Sequence, residues 1–189
     1  MNEIMKELVL IISFLLVILI IIFIINFMVN MIMQTIFWYW VPFVPSTDYK
    51  TKKLIEILKI KKWQSFVDLW CWDWKILEAV KDKFPEALVY WIENSPKPYN
   101  LALKRRKRNN LDYNLIQNNF FKEDFSIYDI IYSFLIPYLM NKIWIKIKSE
   151  CKPWTLFYVS EFEIKGEKFI DKIIIEEKDY KWKIFVYEV

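Results

Sequence analysis

Histidine is missing from this chain, and glycine nearly so: 189 residues contain no His, one Gly and two Cys. Without imidazole there is no Ser-His-Asp or Cys-His catalysis and no histidine-ligated metal. The two cysteines, Cys71 and Cys151, build neither a disulfide framework nor a Cys-x-x-Cys metal signature. The glycine deficit is harder to accommodate. Average usage of about 7% would supply roughly 13, and tight turns rely on glycine because it takes φ > 0 without steric cost.

The surplus lies in tryptophan. Ten Trp and one Gly together make eleven, close to the ordinary glycine complement. The positions agree with the count. Trp154 follows Pro153, where Pro-Gly is a common turn pair. Trp63 lies in Lys-Lys-Trp-Gln-Ser before the first strand-like run, and Trp182 in Asp-Tyr-Lys-Trp-Lys between two others. All three read as turn sites. Some bacterial lineages decode UGA as glycine, and a translation table that reads UGA as tryptophan would produce this pattern. The alternative is a genuinely Trp-rich chain. Trp38 and Trp144 are the positions where a true tryptophan fits most readily.

The length allows one domain of ordinary size plus an appendage. Hydrophobic residues make up 56% of the chain, and the formal charge is a modest +4. No charged residue occurs from Leu8 to Thr47, and Leu8–Met28 is almost wholly Leu, Ile, Val, Phe and Met. That exceeds the roughly 20 apolar residues needed to span a bilayer as a helix. A cleaved signal peptide would want a basic start and a small-residue cleavage site. The flank instead carries Glu3, Lys6 and Glu7, and the first alanine is Ala79. A retained single-pass membrane anchor is the expectation. Lys6 on one side against Lys50, Lys52 and Lys53 on the other puts the C-terminal domain in the cytoplasm. The expected division is an anchor at 1–36, a linker and first helix at 37–62, and a folded domain at 63–189.

Pro42 and Pro45 predict an extended linker over 37–47. A helix should start after Ser46 or Thr47, with Asp48 in its first turn. Strands then alternate with helices: strands at 65–69, 87–92, 113–117, 129–135 and 155–160, helices at 75–84, 97–108 and 137–148. Two further strand-like runs, 172–176 and 183–187, predict a hairpin around Lys181-Trp182. This order implies an α/β, doubly wound, Rossmann-like parallel sheet with a C-terminal antiparallel hairpin, preceded by one transmembrane helix.

Ligands of such sheets bind beyond the C-terminal strand ends. The loop after the first strand is therefore the place to look, in the run Asp68-Leu69-Trp70-Cys71-Trp72-Asp73-Trp74. A strand-to-helix turn that cradles a ligand wants glycine where this chain has three indoles. With Gly at 70, 72 and 74 the spacing is G-x-G-x-G. A nicotinamide site prefers G-x-G-x-x-G, and Asp68 and Asp73 would repel a pyrophosphate. They suit a zwitterionic, sulfonium-bearing ligand. Glu93, at the end of the second strand beside Asn94, can accept two ribose hydroxyls, although a solvated strand-end charge explains it as well. Asn119 and Phe120 follow the third strand, where an amide and a ring could hold adenine. Phe134 and Pro137, after the fourth, face the side where a second substrate would enter, although a buried apolar strand explains the run equally well. Lys104-Arg105-Arg106-Lys107-Arg108 reads first as a solvated helix end and second as a lipid-headgroup patch. Cys71 reads as a small loop residue.

With glycine restored, D-L-G-C-G-D-G at 68–74 is motif I of the class I S-adenosylmethionine (SAM) methyltransferases. Together with Tyr90-Trp91-Ile92-Glu93-Asn94 and Pro42-Phe43-Val44-Pro45-Ser46 behind an apolar helix, it resembles one branch. That branch is the membrane-anchored enzymes related to the lysine methyltransferases of ATP synthase c-subunit and adenine nucleotide translocase. The resemblance covers roughly residues 38–160. It implies SAM as cofactor, held by positions 68–74 and Glu93, and a substrate-side or structural role for Pro42, Phe43, Val44, Pro45 and Ser46. The departures are the Trp letters and a divergent C-terminal half, which leaves the acceptor open. The resulting expectation is a SAM-dependent methyltransferase on the cytoplasmic membrane face. Its partners are a methyl acceptor, such as a membrane-protein lysine, and the lipid bilayer, with no nucleic acid and no metal. The alternatives are a lipid, quinone or other small-molecule acceptor, or a non-catalytic membrane-anchored scaffold if the indoles at 70, 72 and 74 are real.

Overall fold

The computed structural model describes residues 3–39, 46–69, 74–178 and 180–189. The chain divides into two compact units, Met1–Phe43 and Val44–Val189. The first is a single helix, α1 (Glu3–Tyr39). Its segment Met5–Ile32, 28 residues and wholly exposed, contains an 18-residue window of mean hydropathy 3.8 and is long and apolar enough to cross a membrane. The helix runs past the boundary expected at 36, so Phe37, Trp38 and Tyr39 are helical rather than extended. No glycine or proline interrupts the chain before Pro42, and proline restricts only the residue before it.

The second unit opens with α2 (Asp48–Ile57). Thr47 caps it: its side chain accepts from the Lys50 N–H at 3.1 Å. Strands and helices then alternate through β1 (Ser65–Leu69), α3 (Lys75–Lys83), β2 (Leu88–Glu93), α4 (Pro96–Asn109), β3 (Asn114–Gln117), β4 (Ile130–Ser133), α5 (Pro137–Glu150) and β5 (Leu156–Ser160). The hairpin β6 (Asp171–Glu177) and β7 (Tyr180–Glu188) closes the chain. Two short 3-10 turns, 120–122 and 125–127, fill the β3–β4 connection. Pro96 and Pro137 each sit in a helical first turn, where the missing N–H costs nothing.

The seven strands lie in the order β3-β2-β1-β4-β5-β7-β6. β1 to β5 are parallel, and β7 inserts antiparallel between β5 and β6. Alternating strand residues feed two cores, as the two-residue side-chain period demands. Phe66, Val89, Trp91, Ile130 and Tyr158 pack with α2 and α3; Val67, Leu69, Ile92, Ile131 and Phe157 pack under Met140, Ile143, Trp144 and Ile147 of α5. β1, β4 and β5 are therefore buried on both faces, while β3 at the sheet edge stays partly exposed. At the opposite edge from the loops, Asp129 fastens β4 to β1, accepting from the Ser65 N–H and hydroxyl at 2.9 Å each.

The observed hairpin corrects one expectation. Trp182 is not at the turn but inside β7, paired with Ile175. The reversal instead falls beside Lys178, whose φ is 52°. Strand 4 is also shorter than expected, so Phe134 and Leu135 lie beyond it.

Candidate active site at the carboxyl edge of the sheet

Parallel register brings the expected residues to one edge. Asp68 is opposite Trp91 and Leu69 opposite Ile92 on β2, Leu69 is opposite Ser133 on β4, and Glu93 is opposite Gln117 on β3. The segments that follow these strand ends therefore leave from one edge. β1 is the switch point, flanked by β2 on one side and β4 on the other, where a doubly wound sheet opens a crevice for a ligand.

Asp68 is 1% exposed, and Leu69 is fully buried. A carboxylate buried there is costly unless it is paired or hydrogen-bonded. Trp70, Cys71, Trp72 and Asp73 lie outside the described residues. Trp74 is half-buried at the start of α3 with φ −61°, so its own backbone does not require glycine. Its ring lies under the Arg105 guanidinium, 5.1 Å from the centroid.

Glu93 is buried at the end of β2, and Oε1 accepts from the Ser95 N–H at 2.6 Å. Burial raises its pKa, and that backbone N–H partly opposes the rise. The solvated strand-end alternative is thereby corrected, because a solvated carboxylate would be exposed. Asn94, next to it, is exposed.

Asn119 sits after β3, but its carbonyl Oδ1 is already engaged as the cap of the following 3-10 turn, accepting from the Phe121 N–H at 3.0 Å. Phe120 is buried in the α5-side core and tilted against Phe121 at 4.7 Å. Both therefore perform local structural work. Pro42, Phe43, Val44 and Pro45 lie outside the described residues; Ser46 is buried. Phe134 is half-buried just past β4, and Pro137 is exposed at the start of α5.

Sequence reasoning missed Lys50. Counted above as a basic flank of the anchor, it is 1% exposed. Its ammonium lies 4.4 Å from the Phe134 centroid and 3.7 Å from that of Trp182. The one available signal was the helical phase of Lys50 with the buried Leu54. Two residues earlier, Asp48 pairs with Lys75 at 2.8 Å. Of the five-cation run, Arg105 makes a bidentate pair with Glu78 at 2.6 and 2.8 Å, and Arg106 donates to the Tyr113 carbonyl at 3.0 Å. Lys104, Lys107 and Arg108 remain exposed.

The tryptophan letters separate by environment. Trp63 has φ 63° and is 70% exposed, a backbone state that is an outlier for a bulky side chain. Trp154 is 61% exposed in the turn after Pro153. Trp91 is fully buried with its indole N–H lacking a hydrogen-bond partner. The Trp144 indole N–H is in the same condition, and its ring stacks on Phe157 at 5.9 Å and packs on Tyr187 at 5.4 Å.

No family model matches the chain. A protein-lysine N-methyltransferase of Saccharolobus islandicus is 24% identical over 151 residues, covering 79% of this chain and 94% of that protein. Among solved structures, an RNA methyltransferase of Salinibacter ruber bound to S-adenosyl-L-homocysteine superimposes with a TM-score of 0.69 at 16% identity, over 77% of this chain and 94% of that one. An m1A22 tRNA methyltransferase of B. subtilis gives 0.62 at 14% identity, over 78% and 68%. The fold of residues 46–189 is the Rossmann-like methyltransferase fold.

Proposed function

We propose that the chain is a class I SAM-dependent methyltransferase, holding its cofactor between the 68–74 segment and Glu93 and acting on a protein lysine. The observation that carries this reading is the convergence of two buried carboxylates, Asp68 and Glu93, on the switch-point edge of this particular sheet. The lysine acceptor rests on the similarity to the Saccharolobus enzyme.

SAM supplies a methyl group already activated on a sulfonium. The chain's part is binding, alignment and exclusion of water. The Glu93 carboxylate, when ionised, accepts hydroxyl hydrogens of the ribose. Asp68, buried near the end of β1, offers a carboxylate to a ligand that carries cationic groups. An acceptor lysine must arrive neutral, which an apolar approach past Phe134 favours.

The natural protein in this proposal carries glycine at 70, 72 and 74. The strained Trp63 backbone supports the wider substitution. Three indoles would each bring about 150–250 Å² of surface into a ligand loop. The anchor in this proposal is α1, with the folded unit on the cytoplasmic face. The basic excess survives the burial of Lys50, since Lys52 and Lys53 still outnumber Lys6.

The test is calorimetry with SAM on the full chain carrying glycine at 70, 72 and 74. Binding is expected there and not in the Trp form. Asp68→Ala and Glu93→Ala should each abolish it with circular dichroism unchanged; binding retained in both sinks the site. Transfer of labelled methyl to membranes then separates acceptors: label in the solvent-extractable fraction would replace the protein lysine with a lipid or quinone.

A further inference from the structure

The five-cation run of α4 divides by face. Arg105 and Arg106 turn inward, to the Glu78 carboxylate and the Tyr113 carbonyl. Lys104, Lys107 and Arg108 stay exposed, and Lys97, Asn100 and Leu101 are exposed with them. Spacings of three and four residues put these six positions on one side of the helix, away from the buried Ala102. α4 itself contains no acidic residue. Among the described residues none of the four cations on this side is paired with a carboxylate. The nearby acids Glu78 and Asp112 are held by Arg105 and Lys81, the second at 3.0 Å. Helix stability does not account for the pattern. A cation is favoured in the last turn, where Lys107 and Arg108 lie, but Lys97 sits in the first turn, against the helix dipole.

We propose that this side of α4 binds anionic lipid headgroups, as a second membrane contact in addition to the anchor. The inference rests on the reading of α1 as that anchor. Headgroup phosphates and carboxylates supply the sign of charge that these four side chains lack. Leu101 lies in the middle of the basic side and is 50% exposed. An apolar side chain among cations suits the boundary between headgroups and acyl chains. None of the six positions is aromatic, whereas single-stranded nucleic acid is held by rings on which its bases stack. The same chain carries a helix long and apolar enough to cross a membrane. Where that helix is inserted, the lipid surface is present at high effective concentration. Each Lys or Arg near an anionic surface strengthens attraction about fivefold, so four act together by several-hundredfold.

The experiment uses the full chain with two kinds of vesicle, phosphatidylcholine alone and phosphatidylcholine mixed with phosphatidylserine. Flotation with the neutral vesicles reads the anchor. Acylation by a water-soluble reagent, read at each lysine by peptide mass spectrometry, reads the face. Lys165 and Lys168, exposed in the β5–β6 connection, are the internal controls. Lys97, Lys104 and Lys107 should acylate several-fold more slowly on the phosphatidylserine vesicles, with the two controls unchanged. Salt at 1 M, where the screening length is about 3 Å, should remove the difference. Lys104→Glu combined with Lys107→Glu should weaken the contact by at least about 25-fold. Lys97 in that variant should then acylate at the same rate on both vesicles.

A chain that floats with neutral vesicles but acylates equally on both overturns this inference and leaves the anchor standing. Slowing of all lysines alike overturns it too. Protection of the same three lysines by added single-stranded RNA, with none from phosphatidylserine, gives the face to nucleic acid instead. Flotation only with the phosphatidylserine vesicles supports the face and removes the anchor. Flotation with neither takes down both.

Discussion

Two identical substitutions should have opposite signs. Trp63→Gly acts at φ 63° on a side chain 70% exposed. Relieving a left-handed backbone in an L-residue returns roughly 1–2 kcal/mol. The added freedom of the unfolded chain takes back about 0.4–1 kcal/mol, and little apolar burial is lost. The net lies between nothing and a stabilisation of about 1.6 kcal/mol. Trp144→Gly acts on a ring 4% exposed in the middle of α5, stacked between Phe157 and Tyr187. Truncating a core Trp costs about 3–5 kcal/mol, and glycine in a helix interior adds about 1 kcal/mol. The total rivals the roughly 5–15 kcal/mol stability of a whole domain. At about 2–4 °C per kcal/mol for a chain of this size, Trp63→Gly should raise Tm by a few degrees or leave it unchanged. Trp144→Gly should lower it by roughly 10 °C or more, or prevent folding. Thermal melts of the full chain in detergent, followed by near-ultraviolet circular dichroism, measure both. A clear loss of Tm at 63, or none at 144, refutes the reasoning from local environment.

The pKa of Glu93, raised by burial, sets two pH dependences of opposite direction. Above the ordinary carboxylate range the fold holds this proton more tightly than the unfolded chain, so its contribution to stability is present on the acid side and lost as pH rises through the raised value. Ribose binding needs the ionised form, so SAM affinity should weaken as pH falls through that same window; calorimetric titrations across pH check this, and Glu93→Gln should flatten the profile. Arg105→Ala should cost about 1 kcal/mol, the upper end for partly exposed pairs, because the Glu78 fork is bidentate. Lys104→Ala and Lys107→Ala should stay within about 0.5 kcal/mol, and urea unfolding separates the two cases. The Cys151 thiol is pushed up to about 12 by burial and donates to the Phe125 carbonyl at 3.3 Å. The half-buried thiol should label only slowly with iodoacetamide until denaturant is added; rapid native labelling at Cys151 would contradict its raised pKa.

The strand–helix alternation was legible because both its signals are local. Apolar runs such as Phe66-Val67 and Ile130-Ile131 stop at turn residues, and helical phase resumes at Ile76-Leu77-Val80. Parallel strands buried on both faces leave little ambiguity once their number is known. The positions of Asp68 and Glu93 followed from strand ends alone. The errors have a common source in contacts between distant segments. Lys50 looked like a solvated cation because its neighbours in sequence are Lys52 and Lys53, whereas its neighbours in space are Phe134 and Trp182. Trp182 looked like a turn because glycine-like letters were taken as punctuation; pairing with Ile175 keeps it in the strand. Asn119 follows β3 as expected, and its Oδ1 caps a local 3-10 turn that no periodicity announces.

Acceptor choice in this molecule has to be sought outside the shared frame. Structures with the same sheet act on RNA, according to their names, while the curated relative acts on protein lysine, so β1 to β5 do not decide the substrate. Two additions reach the residues that follow the strand ends, at Lys75 and Phe134. One is the first turn of α2, held to the loop's far end by Asp48–Lys75; the other is the β6–β7 hairpin. They are joined to each other, since the Thr47 hydroxyl donates to Glu177 at 2.7 Å and the Lys50 ammonium lies on Trp182. Phe134 completes the corner from the end of β4. Three segments far apart in sequence thus converge on a single amine, and an incoming lysine would have to occupy or displace what Lys50 occupies now. Substitutions at 47, 50, 134 and 182 should therefore change which acceptor is methylated while leaving SAM affinity within a fewfold of its starting value. Changes at 68 and 93 should do the reverse.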